Sequence, residues 1–139
     1  MTGKTSPETR TRSHRKAILC LCEDSQMLQV RQLLLEHFGY VVLPSSSVED
    51  ARKMAERQCP DMLLMDNTDL ELDYEQLATE VKNVCPEVIT VMLSPYFRVA
   101  RNGKVSSIDR FVVKDDGPDA LIEQIQELFG GNERLSQAM

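Results

Sequence analysis

Residues 60–66 read Pro-Asp-Met-Leu-Leu-Met-Asp. A proline, which a helix interior rejects, precedes four unbroken apolar residues, and a carboxylate closes the run. A run this short and without alternation fits a strand buried on both faces. Three more runs share the pattern: Ala17–Cys22, ending on Glu23-Asp24; Val88–Leu93, ending on Ser94-Pro95; and Phe111–Val113, ending on Lys114. Tyr40–Leu43 is a shorter strand, stopped by Pro44.

Helical patterns lie between these runs. Ser25 is the expected N-cap of the first; Met27, Val30, Leu33, Leu34 and Phe38 share its apolar face, and Gly39 ends it. Ser47 caps a second helix through Arg57. Residues 67–73 form an acidic loop, and residues 74–84 a third helix with Leu77, Val81 and Val84. The stretch 96–107 contains Asn102-Gly103 and lacks a clean apolar stripe. Pro118 suits a first helical turn, Leu121, Ile122, Ile125, Leu128 and Phe129 mark the final helix, and Gly130-Gly131 closes it. Cys59-Pro60-Asp61 and Cys85-Pro86-Glu87 echo each other, each separating a helix from a buried strand. Buried strands alternating with helices predict an α/β fold: five βα units and a parallel sheet covered on both faces.

The chain has 139 residues, enough for one domain. Residues 16–130 are the expected domain, with a disordered basic tail over 1–15 and a C-terminal tail over 131–139. Lys4, Arg10, Arg12, Arg15 and Lys16 against Glu8 put +4 on residues 1–16; the net charge of −6 therefore leaves −10 on the remainder. An acidic body repels phosphate backbones, and an absence of Trp removes the best stacking surface, so no nucleic-acid binding is expected. No apolar run approaches a membrane-spanning length and no signal-peptide core opens the chain, so no membrane association and a cytoplasmic location are expected. Cys20, Cys22, Cys59 and Cys85 show no CxxC spacing and no paired histidines, and are read as reduced structural thiols.

In open parallel sheets, sites form at the carboxyl ends of strands. Here that edge collects Cys22, Glu23 and Asp24, then Asp66, Ser94 and Lys114. Carboxylates with an ammonium and a hydroxyl suit a hard cation together with a phosphoryl group. An aspartate can itself attack phosphorus and form an acyl phosphate.

The stretches ILCLCED, PDMLLMD, VITVMLS and DRFVVK, followed by GPDALIEQIQELF, resemble the response-regulator receiver family of two-component signalling over about residues 16–129. The resemblance implies a flavodoxin-like, doubly wound (βα)5 sheet in the order 2-1-3-4-5. It implies Asp66 as phosphoacceptor, Lys114 and Ser94 as partners of the phosphoryl group, and Ser94 with Phe111 as the switch pair. Glu23, Asp24, Asp66 and the backbone carbonyl of Thr68 would hold Mg²⁺. Partners would be a histidine kinase or phosphotransfer protein and a downstream protein target, with a homodimer through the last strands and final helix as an option.

The sequence departs from the family at four places. Counting back from Gly39, Cys22 and Glu23 stand where the family usually has two aspartates. Pro95, which has no N–H, follows Ser94, and Asp115 follows Lys114 where a proline is usual. The loop after Asp66 lacks the usual proline-glycine turn. Two readings follow: a single-domain response regulator phosphorylated on Asp66 with Mg²⁺, not an enzyme, or a degenerate receiver that binds proteins without phosphorylation. A flavodoxin-like cofactor enzyme is disfavoured, because Glu23-Asp24-Ser25 offers no glycine-rich phosphate cradle.

Overall fold

A computed structural model of the chain describes residues 15–66, 74–94 and 106–138, apart from the side chains of 115 and 131–138. The elements are β1 (Ala17–Cys22), α1 (Ser25–His37), β2 (Val41–Ser45), α2 (Val48–Arg57), β3 (Met62–Asp66), α3 (Tyr74–Val84), β4 (Ile89–Ser94), β5 (Arg110–Val113), a 3-10 turn (Lys114–Asp116) and α4 (Gly117–Ala138). The strands form one parallel sheet in the order β2-β1-β3-β4-β5. The fold class, the strand order and the bounds of α2, β3 and α3 are those expected from the sequence. Residues 1–14 of the expected tail over 1–15, the loop over 67–73 and most of the ambiguous stretch 96–107 lie outside the described residues.

Strand alternation divides the core into two layers. Leu19, Leu21, Leu63 and Met65 face α2 and α3, where Ala51, Ala55, Leu77 and Val81 meet them. Ile18, Cys20, Met62 and Leu64 face α1 and α4, where Leu35, Leu121, Ile122 and Ile125 meet them. The parity continues to the strand ends, so Cys22 and Asp66 belong to the α1 face.

Four local readings are corrected. Asp24, not Ser25, caps α1: its Oδ1 accepts the backbone N–H of Gln26 at 3.0 Å and of Met27 at 3.2 Å. Strand β2 passes through Pro44, because an edge strand tolerates a missing N–H. Helix α4 runs through Gly130-Gly131, which weaken a helix without forcing it to stop. The apolar face of α1 is not the one the hydrophobic count picks. Val30, Leu33 and Phe38 are exposed, while Leu28, Leu34 and Leu35 pack on the sheet. Arg31 sits between Leu28 and Leu35 on that inward stripe, which disguises it in the sequence.

The cysteines are corrected too. Cys59 and Cys85 form a disulfide with their Cα atoms 5.6 Å apart, while Cys20 and Cys22 are free and buried. The two Cys-Pro turns end α2 and α3 side by side, which brings thiols 26 positions apart into contact. A reduced state of this pair is therefore not what the fold holds, and the bridge gives the cytoplasmic expectation no support.

Candidate functional site

Asp66 ends β3 and is fully buried. A buried carboxylate needs charged or hydrogen-bonding partners, and Asp66 has two cations. The Arg31 guanidinium donates through Nε to Oδ2 at 3.0 Å. The Lys114 ammonium lies 2.6 Å from Oδ1. Oδ1 receives no hydrogen bond of good geometry, so Lys114 serves it as a close charge. Both cations are themselves largely covered, with side chains 12% and 20% exposed, so water screens these pairs far less than surface pairs.

Each partner is placed by local structure. Parallel pairing sets Cys22 beside Asp66, Asp66 beside Leu93 and Ser94 beside Val113, with Lys114 next along the chain. The turn beginning at Lys114 starts as β5 ends, which swings its side chain over the sheet edge. Arg31 arrives from the middle of α1, seven residues past the N-cap, on the stripe that faces β1 and β3.

Cys22 stands where a second carboxylate would be needed. Its thiol donates to the carbonyl oxygen of Asp24 at 3.4 Å. Burial, then the Asp66 charge, pushes it up to about 11, so it stays protonated at neutral pH. Burial first and Asp66 second push Cys20 up to about 12.

The other predicted site residues divide. Ser94 is buried at the carboxyl edge, but strand alternation puts it with Met92 on the α2–α3 face, opposite to Asp66. Glu23 is exposed, and the Asp24 carboxylate is committed to the start of α1. Phe111 is 36% exposed on the last strand. Thr68 and Pro95 lie outside the described residues.

Magnesium takes about six hard oxygen ligands in near-octahedral geometry, usually with one or two carboxylates and several waters. Among the described residues Asp66 is the one buried carboxylate, and no group of three or more His, Cys, Asp or Glu is arranged to hold a metal. A guanidinium already holds one oxygen of Asp66, and the neighbouring position carries a protonated thiol. These residues do not fit the magnesium site that the resemblance implies.

Sequence reasoning missed Arg31. The available signal was an arginine three residues after Leu28 and four before Leu35, which places it in a buried stripe that only an acid opposite could neutralise.

The same architecture recurs among solved structures. A CheY-like response regulator receiver domain protein from Methanospirillum hungatei superposes with a TM-score of 0.74 at 21% identity, covering 87% of this chain and 98% of that one. Chemotaxis protein CheY4 of Vibrio cholerae matches with a TM-score of 0.72 at 17% identity, over 82% of this chain and 98% of its own. This chain has the receiver-domain fold. Response regulator TrrA from Thermotoga maritima, solved in complex with Mg²⁺-BeF, matches this chain with a TM-score of 0.71 at 20% identity, over 81% and 98% of the two chains. No protein-family model and no curated protein matches the sequence. Relative to the receiver pattern, this chain keeps the strand-end aspartate and the lysine after β5, and adds a cation from α1.

Proposed function

We propose that this receiver is a signalling module that acts through protein contacts, without phosphorylation of Asp66 and without magnesium. One observation carries the reading: the Asp66 carboxylate is already neutralised by Arg31 on Oδ2 and Lys114 at Oδ1. A carboxylate that attacks phosphorus must not have its charge held by fixed cations, and it needs a counter-cation that can also hold the incoming phosphoryl oxygens. Here Arg31 supplies a fixed internal charge, and Cys22 supplies none of the negative charge that would draw in a divalent ion. Asp66 then works as the anchor that ties α1 and the turn after β5 to the sheet edge. The acidic body favours a protein partner over nucleic acid. Phe111, on the edge strand β5, offers a contact beside α4.

The test uses the full chain with magnesium and acetyl phosphate, read by intact mass, and beryllofluoride read by NMR. The expected result is no added phosphoryl group and an unchanged spectrum. A single phosphoryl adduct that Asp66→Asn removes would sink the reading and return the chain to the phosphorylated class.

A further inference from the structure

We propose that Cys59 and Cys85 are a reversible thiol–disulfide couple, opened from the Cys59 side by a dithiol, which sets how firmly α2 is held against α3. This stands apart from the reading of Asp66, because it rests on different residues on the opposite face of the sheet.

The bridge joins the turn after α2 to the turn after α3. The two sulfurs sit in unlike surroundings. Cys59 is exposed, whereas Cys85 is 3% exposed and packs in the layer with Ala55, Val81 and Val88. An incoming thiolate therefore reaches Cys59 first. It forms a mixed disulfide with Cys59 Sγ, the Cys59–Cys85 bond breaks, and Cys85 leaves as a thiolate that takes a proton. The second thiol of the dithiol then attacks its own bound sulfur and releases Cys59. The dithiol is oxidised to a disulfide, and the two cysteines gain two electrons and two protons.

What else joins the two helices is weak. The fully buried residues of α2 are Ala51 and Ala55, which offer little area, and Val48 and Met54 add partly buried contacts to the same layer. Arg52 Nε meets Glu80 Oε1 at 2.8 Å, but both side chains are about one-third exposed, and such pairs contribute little. A shallow groove runs between the helices, lined by Arg52, Glu56, Glu80, Val81, Asn83 and Val84. The disulfide lies beside one of these lining residues, the exposed Val84, whose carbonyl oxygen is 3.5 Å from Cys59 Sγ. Opening the bond removes the covalent link between the helices and frees this groove to widen.

The pair is also insulated from exchange with the other thiols. Cys20 belongs to the α1–α4 layer across the sheet, and Cys20 and Cys22 are buried and held protonated. Thiol–disulfide exchange needs a thiolate, so these two do not compete for the bridge.

The experiment equilibrates the folded full chain in glutathione buffers of graded ratio or in dithiothreitol, without denaturant. Iodoacetamide then quenches each sample before intact-mass and peptide analysis. The expected result is a single transition in which the exposed Cys59 gains one carbamidomethyl group, while the buried Cys20, Cys22 and Cys85 gain none before the sample is denatured. In NMR spectra of the amide groups, reduction shifts α2 and α3 and leaves β1 and β3 in place. Failure of the bridge to form in oxidised glutathione, or opening only in denaturant, overturns the proposal. Because Cys85 is buried, the control is Cys59→Ser, which should fold with the reduced spectrum in every buffer. A redox response that survives in Cys59→Ser also overturns it.

Discussion

Arg31→Gln, Asp66→Asn and the double variant form a cycle that measures the pairing at the sheet edge. Two unit charges 3.0 Å apart attract by about 5.5 kcal/mol at an effective dielectric of about 20. That figure is an upper limit, because bringing both groups out of water costs much of it. Lys114 also remains against Oδ1 when Arg31 is gone, so the carboxylate keeps one counter-charge. Arg31→Gln alone should cost about 3 kcal/mol, at the low end for breaking a buried pair. Asp66→Asn removes the buried charge but leaves two cations facing each other. The coupling energy from the cycle should be about 2 kcal/mol, within the range for residues in direct contact. The chain has no Trp, so urea unfolding is followed by far-ultraviolet circular dichroism, with midpoints compared at constant slope. A coupling below about 0.5 kcal/mol, the level of an exposed pair, would refute the idea that Arg31 is the internal counter-cation of Asp66.

Four further outcomes follow from the same geometry. Reduction of Cys59–Cys85 should lower stability by about 3 to 4 kcal/mol, the chain-entropy value for a 26-residue separation, read as a fall in the urea midpoint that Cys59→Ser reproduces. Cys22→Asp combined with Arg31→Val restores an acid and removes the guanidinium; this double variant, unlike the parent, should gain a magnesium-dependent phosphoryl adduct from acetyl phosphate, and an inert variant would show that the block lies elsewhere. Cys20 and Cys22 hold their protons in the fold up to about 12 and about 11, above the ordinary thiol value of 9.0, so their contribution is full below pH 9 and is lost as the pH rises toward those values; the urea midpoint should fall across that window, and less steeply in Cys22→Ala. Burial alone would raise Asp109, but hydrogen bonds from the Thr90 backbone and from Lys82 more than offset it and hold its pKa below 3.8. Its contribution is therefore present above about pH 4 and lost as the pH falls through the lowered value, which an acid titration of Asp109→Asn should show as a flatter profile.

The architecture was legible because each buried strand is a short apolar run bounded by a turn signal. Met62–Met65 needs no partner to declare itself a strand, and Pro60 needs none to separate it from the helix before it. The position of Asp66 followed from the same logic, since parallel sheets present strand ends along one edge. The helix faces were less legible. Helix α1 carries two stripes that both contain apolar residues, Met27-Val30-Leu34 and Leu28-Arg31-Leu35. A hydrophobic count discards the second because it contains an arginine, yet that stripe carries the buried Leu35.

The sequence by itself determined the βα alternation, the parallel sheet and the edge at which Asp66, Ser94 and Lys114 gather. These depend on local chemistry: apolar runs, prolines that end helices, and residues that cap them. Only the tertiary structure decided that Arg31 neutralises Asp66, that Asp24 caps a helix, and that Cys59 meets Cys85. Each of these joins residues from different elements or settles a competition for one side chain. The cost of burying a charge or leaving a donor unpaired is set by what lies across the packed interface. For Asp66 that interface holds two cations and a thiol, a condition its neighbours in sequence do not reveal.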